Sequence, residues 1–285
     1  MSALIDSAKS DAPETTQLSL GSAQMLSSNL ALGLFFLTGS MRRDMQILYR
    51  FCRTVDDIAD DISGNTAERR AALDCWRKAL QKKKLLPPEL MEMLERTSLD
   101  TKWLLALLDG MEADTRAVVR ITDSEALQKY AWQVASTVGR ASAWLFGVRS
   151  AAGEEYAENL GYALQYTNIL RDVAEDARMQ RIYLPLSDFE REGVRQERFL
   201  EGIQSRGMQR LLEIHAQRAV HAFSLIKKGP PLAEAALFRP ATAMHQIYEK
   251  LLDVMLKDGL QVWKKRYRLS WPGKLGVLAK TFRIR

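Results

Sequence analysis

The chain has 285 residues, 47% of them hydrophobic, with a formal charge of +6 and a sequence pI near 9.3. That is enough apolar material for a large core, while sparse glycine (16) and proline (8) and the abundance of Leu, Ala, Arg, Glu and Lys argue against a sheet-based fold. Two cysteines, Cys52 and Cys75, give neither a disulfide framework nor zinc spacing and suit a reducing compartment, so the expected location is cytoplasmic.

Residues 1–20 lack a basic stretch followed by an apolar core and are expected to be a loose leader. The longest apolar run, 30–37, is well short of the ~20 residues of a spanning helix, so any membrane contact is expected to be peripheral, at the inner face. A first helix is predicted over 22–37. The next starts at Met41 with Ser40 as its cap and reaches Asp61. Its segment YRFCRTVDDIADD places Asp56, Asp57, Asp60 and Asp61 beside an apolar stripe of Ile47, Leu48, Phe51, Val55 and Ile58. Like charges at i,i+4 destabilise a helix by roughly 0.2–0.5 kcal/mol per pair, so something must neutralise them.

Thr66 is predicted to cap the following helix, which ends at Lys82–Lys84, and Pro87-Pro88 opens another. A helix over 100–120 carries Asp109, Glu112 and Asp114, for which a solvated face and a cleft-facing role are equally supported. From Asp123 or Ser124, the next helix carries the small residues Ala131, Ala135, Ser136, Gly139, Ala141 and Ala143, which suit either a tunnel wall or close helix packing. After Gly153, a helix reaching Gln180 places Asn168, Asp172 and Asp176 at i, i+4 and i+8 on one face. Facing the first acidic helix across a cleft, these oxygens would make a site suited to Mg²⁺, which binds through a few carboxylates, waters and substrate phosphates.

Two more helices are predicted over 199–228 and 232–257, with His215, His221 and His245 read as packing or surface residues. Residues 257–285 hold nine Lys/Arg against the single acid Asp258, interleaved with Trp263, Tyr267 and Trp271, a mixture suited to diphosphate capture or an anionic membrane surface. The whole reads as all-α, a single-domain helical bundle with a central cleft over 21–268 and a basic tail over 269–285. No nucleic-acid-binding pattern accompanies the basic charge.

At these residues the chain resembles the squalene/phytoene synthase family of head-to-head prenyltransferases. The first family signature is met by Tyr49, Cys52, Arg53, Asp56, Asp57 and Asp60. The second is met by Gln165, Asn168, Ile169, Arg171, Asp172, Glu175, Asp176, Arg181, Tyr183 and Pro185, and a downstream segment by Arg239, Pro240, Met244 and Tyr248. The resemblance covers about residues 27–268. It implies the isoprenoid-synthase type of helical bundle, with Asp56, Asp60, Asn168, Asp172 and Asp176 binding Mg²⁺, Mn²⁺ being the alternative. The four aspartates of that set are the implied catalytic residues. Asn29, Tyr49, Arg53, Gln165, Asn168, Arg171, Arg181, Tyr248 and Arg266 would bind substrate.

The implied reaction joins two farnesyl diphosphates into presqualene diphosphate, with onward reduction to squalene requiring NADPH. Phytoene synthesis from geranylgeranyl diphosphate is the alternative, and a non-catalytic assembly protein on the same fold is the alternative of another class. The chain departs from the family pattern at Asn29-Leu30, in place of a Ser-Phe pair, and at Leu37-Thr38, in place of Leu-Pro. Gln180 stands where many members have glycine.

Overall fold

The computed structural model describes residues 18–21, 37–61 and 64–283, so all but the last residue of the helix expected over 22–37, Asn29 included, lies outside the described residues. In chain order the elements are α1 (Gly39–Asp60), α2 (Thr66–Lys82), α3 (Pro88–Thr97), α4 (Lys102–Asp114), β1 (Val119–Arg120) and α5 (Ser124–Ala131). A π-helical turn (Trp132–Ser136) follows, then α6 (Thr137–Leu145), α7 (Ala151–Arg178), β2 (Arg181–Ile182), α8 (Leu186–Arg191) and α9 (Gln196–Leu200). α10 (Arg206–Leu225), a 3₁₀ turn (Leu232–Glu234), α11 (Arg239–Lys257) and α12 (Trp271–Arg283) complete the chain. No helix among the described residues is long and apolar enough to cross a membrane.

The 28-residue α7 is the axis of the bundle, packing against α5, the π turn, α6, β2, α9, α10 and α11. Two glycines permit the closest of these approaches. A Cβ on Gly161 would stand 2.5 Å from the Ser136 Cα, and one on Gly139 2.6 Å from the Ala157 carbonyl oxygen. α1 packs on α2, α3, α4 and α6, its Phe51 ring meeting Trp76 edge-on at 5.4 Å.

Helix ends account for most differences from the sequence expectations. α1 begins at Gly39, two residues early, and no side chain caps it. Asn65 rather than Thr66 caps α2, through a reciprocal capping box with Glu68, because its carboxamide reaches both the Ala67 and Glu68 amides. The helix expected over 100–120 stops at Asp114, and the β-branched residues that follow enter a two-residue parallel ribbon, Val119 pairing with Arg181 and Arg120 with Ile182. Gly153 lies inside α7, which ends at Arg178. The helix expected over 199–228 is two, and that over 232–257 begins in earnest only at Arg239.

Candidate functional site

α1 and α7 both line an elongated cavity. Its lining comes from Met45 on α1, Val134 and Ala135 in the π turn, Gly139 and Ala143 on α6, and Leu160, Leu164, Gln165 and Asn168 on α7, with Tyr248 on α11. The cavity volume is about 260 Å³. The lining residues of α7 run from Ala157 to Asn168, about 17 Å of helix at 1.5 Å per residue. In α1 and α7 alike, apolar lining comes first and the acids follow one or more turns later. Both readings of the small-residue segment find support: Ala135, Gly139 and Ala143 line the cavity, while Gly139 also packs on the Ala157 carbonyl, Ser136 meets Gly161 and Ala141 is buried in the core. The π turn widens the helix where Val134 and Ala135 face the cavity, an irregularity common at functional sites.

On α1, the Arg53 guanidinium holds Asp56 at 2.8 Å and Asp57 at 2.7 Å, supplying the neutralisation that the acidic run requires. Tyr49 lies one turn before Arg53 on the same helix, half-buried. Arg181 crosses from β2 and donates to Asp60 at 2.7 Å and to the Asp114 carbonyl oxygen at 3.1 Å. The ribbon makes this possible by fixing the chain after α7 beside the chain after α4.

On α7, Arg171 donates to both oxygens of Asp172 at 2.8 and 2.5 Å, with the Tyr248 hydroxyl also beside its guanidinium. Arg266, from the segment after α11, donates to Asp172 at 3.0 Å and Glu175 at 2.9 Å. Asn168 reaches Gln165 at 3.5 Å, and its own Oδ1 is buried with no hydrogen-bond partner.

Burial, then Asp172, with smaller contributions from Asp114 and Glu175, pushes the Asp176 carboxyl up to about 8 despite Arg181 nearby. Burial, then Asp60, pushes Asp56 up to about 6, the smaller shift fitting a side chain 40% exposed. Asp114 is the link between the two helices. Buried, and accepting from the Tyr183 and Tyr130 hydroxyls at 2.7 and 2.8 Å, it also sits at about 6 because burial outweighs those bonds. The two phenol rings stack at 4.9 Å. Of the acids weighed on α4, only Asp114 reaches the site; Asp109 and Glu112 bond Arg77 on the outer side. The part played by Tyr130 was not foreseen: it lies in an unremarkable amphipathic segment, and only the fold brings it to Asp114.

The donor set suits a hard divalent cation. It offers the buried unpartnered Asn168 Oδ1 and the Asp176 carboxyl, which accepts no hydrogen bond among the described residues, in a field of like charge that a cation would relieve. No three His, Cys, Asp or Glu side chains among the described residues are gathered in a ligating arrangement. Asp56, Asp60 and Asp172 are each held by an arginine instead. The histidines stand apart. His215 is buried with Nε2 2.9 Å from the Tyr166 carbonyl, its pKa lowered to about 4 by burial, and His245 stacks on Phe223.

Residues 24–274 match the family model described as squalene/phytoene synthase. A presqualene diphosphate synthase of Zymomonas mobilis is 39% identical over 190 residues, which span 65% of each chain. One of Sinorhizobium fredii is 33% identical over 259 residues, 89% of this chain and 92% of the relative. Phytoene synthases match as well, at 28–30% identity. The fold is that of a crystallised dehydrosqualene synthase, with a TM-score of 0.73 over 90% of this chain and 91% of that one at 23% identity. With its two acidic helix faces set at the mouth of an apolar cavity, this chain belongs to the squalene/phytoene synthase family of prenyltransferases.

Proposed function

We propose that the chain joins two farnesyl diphosphates head to head to give presqualene diphosphate, releasing one diphosphate and one proton. The observation that carries this reading is the junction at Asn168, which lines the apolar cavity while standing one helical turn from Asp172. A prenyl tail in the cavity would therefore present its diphosphate to the acidic mouth. Higher identity to presqualene diphosphate synthases than to phytoene synthases favours farnesyl over geranylgeranyl chains.

Asp56, Asp60, Asn168, Asp172 and Asp176 would hold Mg²⁺, or Mn²⁺ in its place. When bound, the metal would supply Lewis-acid stabilisation of the departing diphosphate. Arg53, Arg171, Arg181 and Arg266 would hold phosphate oxygens through forked hydrogen bonds, with Tyr248 donating from the cavity side. Arg171 and Arg266 are shared with Asp172 and can exchange that carboxylate for phosphate. Gln165 orients Asn168, and Tyr49 extends the polar face of α1. Breaking the C1–O bond of the first substrate leaves an allylic cation, which the C2–C3 double bond of the second attacks. Loss of a proton closes the cyclopropane ring. Leu160, Leu164, Phe238 and Met244 line the cavity and keep water from the cation.

The test incubates the purified protein with Mg²⁺ and either farnesyl or geranylgeranyl diphosphate, with and without NADPH, and identifies products by mass spectrometry. Presqualene diphosphate from farnesyl diphosphate without NADPH is the expected result, and squalene on adding NADPH would extend it by the reductive step. Phytoene from geranylgeranyl diphosphate as the better reaction would overturn the chain-length assignment. No product from either would leave an assembly role, which Asp56→Ala and Asp172→Ala should not disturb.

A further inference from the structure

The segment after α11 is pinned down at three points and then left open. Trp263 packs edge-on against Phe199 at 5.2 Å, Tyr267 is buried and donates to Asp258, and Arg266 reaches Asp172 and Glu175. Two of the aromatic side chains that the sequence interleaves with basic charge are thus structural anchors. The third is not. α12 packs on α11 with Val277 buried, whereas Trp271 and Leu275 are 61% and 55% exposed. At i and i+4 they stand one above the other, and exposed Ala279 extends the same stripe.

The charges around that stripe are also uncommitted. Lys257, Lys265 and Arg266 pair with Asp253, Asp258 and the α7 acids, but Lys264, Arg268 and Lys274 form no ion pair among the described residues. The Lys274 ammonium lies 5.9 Å from the Trp271 ring centre. By sequence, Lys280, Arg283 and Arg285 add three more cations, and Asp258 is the single acid from residue 257 onward. Tryptophan and leucine set among unpaired cations match the chemistry of a lipid headgroup region, where rings lie at the interface and Lys or Arg meet anionic phosphates.

We propose that α12 and the segment leading into it dock this protein on an anionic lipid bilayer, Trp271 and Leu275 entering the interface and Lys264, Arg268 and Lys274 meeting lipid phosphates. Trp271 lies five positions beyond Arg266, at most about 18 Å of extended chain. The docked face therefore lies beside the acidic mouth, where an amphiphilic substrate would arrive and an apolar product leave.

Flotation of the full-length protein with vesicles of equimolar phosphatidylcholine and phosphatidylglycerol, against phosphatidylcholine alone, tests this. Binding to the anionic vesicles only is expected. Replacing Lys264, Arg268 and Lys274 together by Gln should lower the partition coefficient about a hundredfold, at about fivefold per cation, and added salt should do the same. Trp271→Ala with Leu275→Ala should lower it about tenfold. Neither variant should alter diphosphate release from soluble substrate, which also reports that each is folded. In the unaltered protein, brominated lipid should quench a fraction of tryptophan fluorescence that Trp271→Phe removes. Equal binding to both vesicles, binding to neither, or retention on heparin without binding to anionic vesicles would each overturn the proposal. So would vesicle binding that survives both variants, or the absence of quenching.

Discussion

The two acidic helix faces look alike in the sequence and sit in different surroundings. On α1 the aspartates are half open to solvent and are held by Arg53 from their own helix and by Arg181 from β2. On α7, Asp172 is only 18% exposed and is gripped by two arginines, while Asp176 forms no ion pair among the described residues and is raised to about 8. A short motif therefore names the carboxylates without ranking them. The ranking comes from burial, which makes an unneutralised carboxylate on α7 costlier than one on α1 and so a stronger attractor for a cation.

The largest effect should separate the two faces kinetically. Asp176→Ala is expected to lower kcat by about 10³-fold, the scale for losing a principal electrostatic contact in a transition state, whereas Asp57→Ala should cost less than about tenfold because Arg53 retains Asp56. Diphosphate release under saturating Mg²⁺ measures both. Equal losses would mean that the solvent-facing acids matter as much as the buried ones.

The same asymmetry predicts a pH dependence of stability. Asp56, Asp114 and Asp176, at about 6, 6 and 8, all stand above the ordinary carboxylate value, so between about pH 4 and 8 the folded chain holds protons that the unfolded chain has released. Their contribution is full below about pH 4 and is lost as pH rises through about 6 and then 8. Metal-free protein should accordingly melt several degrees lower near pH 8.5 than near pH 5.5, at roughly 2–4 °C per kcal/mol. Mg²⁺ should raise Tm more at the higher pH, and Asp176→Asn should flatten the slope. Thermal melts across pH with and without Mg²⁺ decide this, and a Tm that rises with pH would contradict it.

Much of the site was legible because its chemistry is local. Asp56 and Asp60, or Asn168, Asp172 and Asp176, share a face by helical periodicity alone, and Arg53 and Arg171 beside them are neighbours in sequence, whereas Arg181 and Arg266 reach Asp60 and Asp172 from 121 and 94 residues away. What was not legible depends on where the chain turns. The clamp on Asp114 needs Tyr130 and Tyr183, which meet only because a two-residue ribbon sets the end of α4 beside the end of α7. Such a ribbon is too short to leave a periodic signal. Trp263 and Tyr267 likewise read, among basic residues, as part of a segment suited to diphosphate capture or an anionic membrane surface, and only packing against Phe199 and Asp258 makes them anchors.

α7 also depends on its glycines in a way that α1 does not. Gly161→Ala would press a methyl group to within 2.5 Å of the Ser136 backbone, so about 1–3 kcal/mol of stability should be lost and Tm should fall in proportion. Ala143→Leu points into the cavity instead. It should leave Tm within a few degrees and reduce the length of prenyl chain accepted, read as the ratio of rates with farnesyl and geranylgeranyl diphosphate. If both substitutions acted on Tm alone, the distinction between a close backbone contact and a methyl group that only lines the cavity would fail.

The smallest expected effect lies at the join between the two faces. Gln180 adopts φ +58° immediately before Arg181, whose guanidinium ties Asp60 on α1 to the chain at Asp114. A side chain in that left-handed conformation costs about 1–2 kcal/mol, and glycine removes this cost while adding about 0.5–1 kcal/mol of unfolded-state entropy. Gln180→Gly should therefore stabilise the fold by under about 1 kcal/mol, a rise in Tm of about 1–3 °C. Diphosphate release should be unchanged, because the backbone already holds the turn that glycine prefers and Arg181 stays in place. A lower Tm with normal activity would mean that the Gln180 side chain contributes more than its backbone strain costs. A fall in activity at unchanged Tm would place the control of Arg181 in that side chain rather than in the turn.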